Sequence, residues 1–250
     1  MSGKSQDKLL CTMRFERRYA IISVFLFLAV PFILPAQSIE SGNHQYVIRG
    51  DVSVELEPMY AGHIDEEYPL TAQAAGQRAL DEMSMFFSAM IYGWSFDYEP
   101  GERSRGIAEI LELQPLGEIQ YGDPALRVTD TSFADMKLRV WADYNLNDSQ
   151  QRRMQVWRAD TVRNAQATGY GPLRLEEYPG WLAIRKTALE DAARAALRAL
   201  LQGSERNRPK EAAGFISLAS FPRYFIDSGR WVVSARFRVQ VTEIIPFAAY

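Results

Sequence analysis

From Trp231 to Thr242 the chain alternates: Trp231, Val233, Ala235, Phe237, Val239 and Val241 fall on one side, and Val232, Ser234, Arg236, Arg238, Gln240 and Thr242 on the other. A period of two marks a strand with one buried face, and that face needs a cover. A cover lies upstream, where Leu182, Leu189, Ala193, Ala196 and Leu200 form a helical stripe over Trp181 to Gln202, closed by Gly203. The same pairing occurs earlier. Ala72, Ala75, Ala79, Met83, Phe86 and Met90 predict a helix over Thr71 to Tyr92 that stops at Gly93. Met136, Leu138, Val140, Ala142 and Tyr144 alternate with Lys137, Arg139, Trp141 and Asp143 as a half-buried strand. Helices covering antiparallel strands make the fold class α+β.

The remaining segments read more briefly. Residues 44–57 are extended, with a bulge or bend expected at Gly50, and Pro58 to Pro69 is a loop. Trp94 to Tyr98 and Gly106 to Leu113 are short strands, followed by a long connection from Pro115 to Asp130. Asp148 is the expected N-cap of a polar helix reaching about Ala165. Ser204 to Ala213 reads as a charged turn and Phe215 to Phe221 as a strand.

The halves repeat the same order of signals. Glu66-Glu-Tyr-Pro69 recurs as Glu176-Glu-Tyr-Pro179, and Ala79-Leu-Asp-Glu82 matches Ala188-Leu-Glu-Asp191. A long helix follows each copy, and each half ends in an alternating strand. The expected organisation is therefore two repeated strand–helix–strand–strand units, each a small antiparallel sheet covered by one helix. They would occupy residues 39–147 and 167–250, joined by a linker helix over 148–166.

Residues 1–38 read as an export signal. Lys4, Lys8, Arg14, Arg17 and Arg18 precede an uncharged run from Ala20 to Leu34, and Ala36 and Ser38 give a small-x-small exit. The alternative is an uncleaved anchor, since Tyr19 to Ala36 approaches the length that spans a bilayer. Met13 is as credible a start as Met1. Cys11, the single cysteine, precedes the apolar run and so is not placed for lipid anchoring. Removing 1–38 takes five of the 28 basic and two of the 31 acidic residues, leaving a formal net charge of −6. An acidic, cysteine-free chain argues against disulfides, thiolate metal sites and a nucleic-acid partner. No second run is long enough to span a membrane, so the destination is expected to be periplasmic or secreted.

Ala167-Thr-Gly-Tyr-Gly171, followed by the alanine-rich helix Arg185 to Leu197, resembles the envelope-domain family typified by lipoprotein 20. It is also similar to the N-terminal domain of the flagellar assembly T protein. In those domains a glycine-bearing strand precedes an alanine-rich helix and further strands follow. Ala75 to Glu82 and Ile91-Tyr-Gly-Trp94 give the first half the same outline. Unlike the lipoprotein, this chain has no cysteine after its signal. As a whole it resembles uncharacterised exported proteins of spirochaetes. The resemblance implies a non-enzymatic part of the cell envelope or a motility assembly, with envelope or motility-apparatus proteins as partners.

Catalytic equipment is sparse. His44 and His63 lack partners at ligand spacing, and Gly169 and Gly171 lead into Pro172 rather than a helix start, so no metal or cofactor site is expected. Glu66, Glu67, Glu176, Glu177, Asp81, Glu82, Glu190 and Asp191 could supply the paired carboxylates of a carbohydrate hydrolase. Ordinary helix-face roles, such as a Glu190–Arg194 pair, compete with that reading. Arg223, Arg230, Arg236 and Arg238 are the candidate partner-binding residues, on the outer face of the last strands. Trp94, Phe96 and Tyr98 beside Phe86 and Phe87 suit either a core or a groove for peptide or glycan. The leading expectation is an exported non-enzymatic structural or interaction protein. A small-ligand or glycan-binding protein with a cleft between the halves comes next, and a carboxylate hydrolase third.

Overall fold

The computed structural model describes residues 46–57, 68–102, 105–172, 180–204 and 209–246. The signal region with Cys11, the histidines, Glu66, Glu67 and the second Glu-Glu-Tyr-Pro segment lie outside them. The elements run β1 (Val47–Glu55), α1 (Ala72–Ile91), β2 (Trp94–Glu99), β3 (Ile110–Pro115), β4 (Leu126–Ala134), β5 (Lys137–Asn145), α2 (Asp148–Val156), β6 (Arg163–Gly171), α3 (Trp181–Ser204), β7 (Pro209–Leu218), β8 (Arg223–Asp227) and β9 (Arg230–Pro246). The fold is α+β, as the alternation and helical stripes predict.

A three-stranded sheet has the order β1-β5-β4. The larger sheet runs β3-β2-β7-β9-β6, with β8 paired to β9, and every pairing is antiparallel. In each half the first strand precedes a helix and pairs with the last strand, β1 with β5 and β6 with β9. Two self-contained small sheets are not what forms, however. β2 pairs with β7 from Trp94↔Ile216 to Tyr98↔Ala212, so strands of both halves share one sheet. One hydrophobic core runs through both halves and includes Met83, Phe87, Val140, Leu197, Ile216 and Phe237.

Several local features also differ from expectation. Gly50 interrupts nothing, because β1 pairs with β5 in unbroken register. Gly106 lies in a turn, and β3 begins only at Ile110. The Pro115 to Asp130 connection contains the start of β4, and the charged 204–213 segment contains the start of β7. The expected 148–166 linker helix ends at Val156, and residues 163–171 form edge strand β6, where the glycine-bearing resemblance implied a strand. Asn147 rather than Asp148 is the N-cap: its side chain accepts from the Gln150 amide, and the Gln150 side chain accepts from the Asn147 amide.

α1 starts where Thr71 Oγ1 accepts from the Ala74 amide at 3.1 Å and ends before Gly93, whose φ of +69° favours glycine and where a Cβ would collide with Ile216 O. The last carbonyls of a helix have no partner within it. Here the Trp157 indole donates to Ile91 O at 3.0 Å and Arg153 to Tyr92 O at 3.4 Å. α2 and the turn after it thus cap α1. Trp157→Phe keeps an aromatic ring, though a smaller one, and leaves Ile91 O unpartnered in a buried place. The expected cost is about 1–3 kcal/mol, measured by urea unfolding. An unchanged midpoint would show that the cap contributes nothing.

Candidate functional site

α1 and α3 run side by side in the same direction: Arg78 lies over the Trp181 ring at 5.8 Å, and four residues on in both helices Glu82 meets Arg185. Both of the latter fall within apolar stripes, which is why they are buried, at 2% and 5% exposure. Arg185 Nε is 3.7 Å from Glu82 and Nη2 is 3.5 Å from Glu55 on β1, and Lys137 is 3.8 Å from Glu55. The guanidinium is flanked by Trp231 at 3.9 Å and Tyr224 at 4.5 Å. Burial pushes the Glu82 carboxyl from 4.5 up to about 7, outweighing Arg185, which lowers it; Glu55 adds to the rise. Glu82 Oε2 and Arg185 Nη1 are buried without hydrogen-bond partners.

This tie joins the middle of α1 to the first turns of α3. Farther along, α3 is held elsewhere: Arg198 donates to Glu109 in the β2–β3 connection at 2.9 Å through Nε and also through Nη2. Between the helices lies a cleft of about 550 Å³. Small side chains are part of its lining, Ala89 from α1 and Ala183 and Ala193 from α3. Trp94, Leu113 and Phe237 from the larger sheet contribute to its lining. The 115–121 segment supplies a third wall, pinned by the Ile119 amide donating to Ser88 Oγ at 2.8 Å and the Tyr121 hydroxyl donating to Gln77 at 3.0 Å. Clefts of this size suit small organic ligands.

The residues singled out in the sequence are distributed unevenly around this geometry. Asp81, Glu190 and Trp94 line the cleft. Phe86, Phe87, Phe96 and Tyr98 are buried in the core, so of that aromatic group only Trp94 reaches the cleft. Glu190 pairs with Lys186 at 3.9 Å rather than with Arg194, which pairs with Asp191 at 3.1 Å. Asp191 also accepts the Tyr170 amide at 3.0 Å, tying α3 to β6. Among the described residues no group of three or more His, Cys, Asp or Glu side chains could hold a metal ion.

The four arginines are not brought to one point. Arg223, Arg230 and Arg236 are exposed, with Arg230 over the Tyr170 ring at 4.8 Å. Arg238 is half-buried and donates to Ala219 O at 3.0 Å; burial lowers its pKa, as does the nearby Arg158. It holds the break between β7 and β8. Sequence reasoning missed Arg185, Lys186, Glu118 and Tyr121. A charged residue inside an apolar stripe could have revealed Arg185, but nothing local marks Glu118 or Tyr121.

A shared-sheet α+β domain with a cleft between two parallel helices is the class that fold and site define. A protein-family model matches residues 36–247, and the chain belongs to that family. It is similar to an uncharacterized protein of Treponema pallidum (strain Nichols), 29% identical over 214 residues that cover 79% of this chain and 88% of the relative. No solved structure matches. Among the described residues no helix is long and apolar enough to cross a membrane.

Proposed function

We propose that this chain is an exported, non-enzymatic ligand-binding protein of the cell envelope, with its ligand in the cleft between α1 and α3. The observation that carries the reading is the cleft itself: about 550 Å³, with small residues on both helices and a wall pinned by two hydrogen bonds. The basic start, apolar run and small-residue exit of residues 1–38 support export. The matching order of strand, helix and returning strand in the halves supports descent from a duplicated unit.

The direct experiment is organic extraction of the protein purified from its own cells, with mass spectrometry of what is released. Ala183→Trp fills the cleft from a half-buried position. The wild type is expected to release a small molecule that the variant lacks at equal yield and melting temperature. Identical extracts from both would contradict the reading.

A second reading, a structural partner in an envelope or motility assembly, is favoured by edge strand β4. Val128 and Phe133 are exposed there, and Met136 beside them is exposed too. Unpaired apolar edges invite added strands. The likeness to the flagellar and lipoprotein domains belongs with this reading, and so would a role for Arg223, Arg230 and Arg236. Capture of a flagellar or envelope protein by the wild type, but not by Phe133→Lys, would favour it over the cleft.

A further inference from the structure

The charge around the cleft narrows what it can hold. Asp81, Glu118 and Glu190 line it, against the single ammonium of Lys186. Lys186 sits 3.9 Å from Glu190, both of them solvent-accessible, which leaves Asp81 and Glu118 without a cationic counterpart among the lining residues. Asp81 is nonetheless held in place. Its Oδ1 accepts from Gln77 Nε2 at 2.8 Å, and Gln77 Oε1 in turn accepts from the Tyr121 hydroxyl at 3.0 Å. Neutral donors fix the carboxylate without cancelling its charge. Met85, Leu113 and Leu182, all partly exposed, offer an apolar surface in the same cleft.

Resting on the cleft reading, we infer that the ligand is a cationic amphiphile, with an apolar body against Met85, Leu113 and Leu182 and an ammonium or guanidinium head near Asp81 and Glu118. A cation gains Coulomb attraction from both carboxylates, while an anionic head of the same shape is repelled by them. Salt should shrink the preference, because the carboxylates are solvent-accessible.

The test uses three probes with the same ten-carbon chain, all below their micelle concentrations: decyltrimethylammonium, decyl maltoside and decyl sulfate. Isothermal titration at low salt is expected to give about tenfold or more tighter binding of the ammonium than of the sulfate. Asp81→Asn with Glu118→Gln should remove that preference while leaving decyl maltoside binding unchanged. Ala183→Trp should weaken all three. Equal binding of the three probes, or preference for the sulfate, would overturn the charge inference and leave the cleft reading standing. Failure of every probe, decyl maltoside included, would count against both.

Discussion

Arg185→Ala is expected to lower stability by about 3–5 kcal/mol, the cost of stripping one partner from a buried ion pair. The guanidinium joins Glu82 of α1 to Glu55 of β1 and packs against Trp231 and Tyr224, so its loss leaves two carboxylates facing a hole. At 2–4 °C per kcal/mol for a chain of this size, the melting temperature should fall by about 10 °C. The double change Glu82→Leu with Arg185→Met removes that charged pair together and should recover most of the loss. A single substitution no worse than the double one would show that the pair is not coupled.

The same site makes stability depend on pH. Glu82 titrates near 4.5 when unfolded and near 7 when folded, because burial disfavours its charge. A raised folded value means that the native state binds the extra proton. Its contribution is therefore complete below pH 4.5 and is lost as pH rises through 7. The loss is about 3 kcal/mol across that window. Glu82→Gln should flatten that part of the stability profile in urea unfolding. An unchanged slope would place the titration elsewhere.

Gly169→Val is expected to cost more than 3 kcal/mol and to leave little folded protein, beyond the usual range for overpacking. A Cβ at Gly169 would collide with the Ala192 amide nitrogen and the Ala188 carbonyl oxygen of α3. Both are backbone atoms, so no side chain can turn aside and β6 must leave the helix. Gly171→Ala is the control: its Cβ would sit 3.0 Å from the Ala188 methyl and 3.1 Å from the Ile184 carbonyl oxygen, tight contacts that a shift of a few tenths of an ångström relieves. Soluble yield and circular dichroism should separate the two variants clearly. Similar behaviour of both would mean that the strand–helix approach is not set by Gly169.

How much of this was legible in the sequence depended on whether an element buries one face. β5 and β9 do, and their alternation located them within a few residues. α1 and α3 carry long apolar stripes, interrupted only by single charged residues such as Glu82 and Arg185, and the stripes place both helices within two residues. β4 does not: Arg127 to Ala134 are exposed on both faces, so no period marks it. Its hairpin turn, Asp135 and Met136 at φ 52° and 57°, lacks the asparagine or glycine that usually announces such a turn. α2 was read too long because Met154, Trp157 and Thr161 keep helical spacing after the helix has ended. Trp157 is buried for a different reason, its bond to Ile91 O.

The site was half legible for a related cause. Asp81 and Glu190 are visible as helix carboxylates, but their relation depends on two helices 109 residues apart lying parallel. Ala89, Ala183 and Ala193 are part of the cleft lining, and in sequence an alanine inside a helical stripe reads as close packing rather than as a gap. The contacts that set the helix spacing, Arg185 with Glu82 and Arg198 with Glu109, join residues distant in sequence, so no local pattern announces them.

The most direct test is methyl-resolved NMR of the protein titrated with decyltrimethylammonium. Binding in the cleft should shift the methyl signals of Met85, Leu113, Leu182 and Leu189, and leave Val128 on β4 in place. Shifts confined to Val128 and Met136, with the four cleft methyls unmoved, would contradict the account and point to the sheet edge instead.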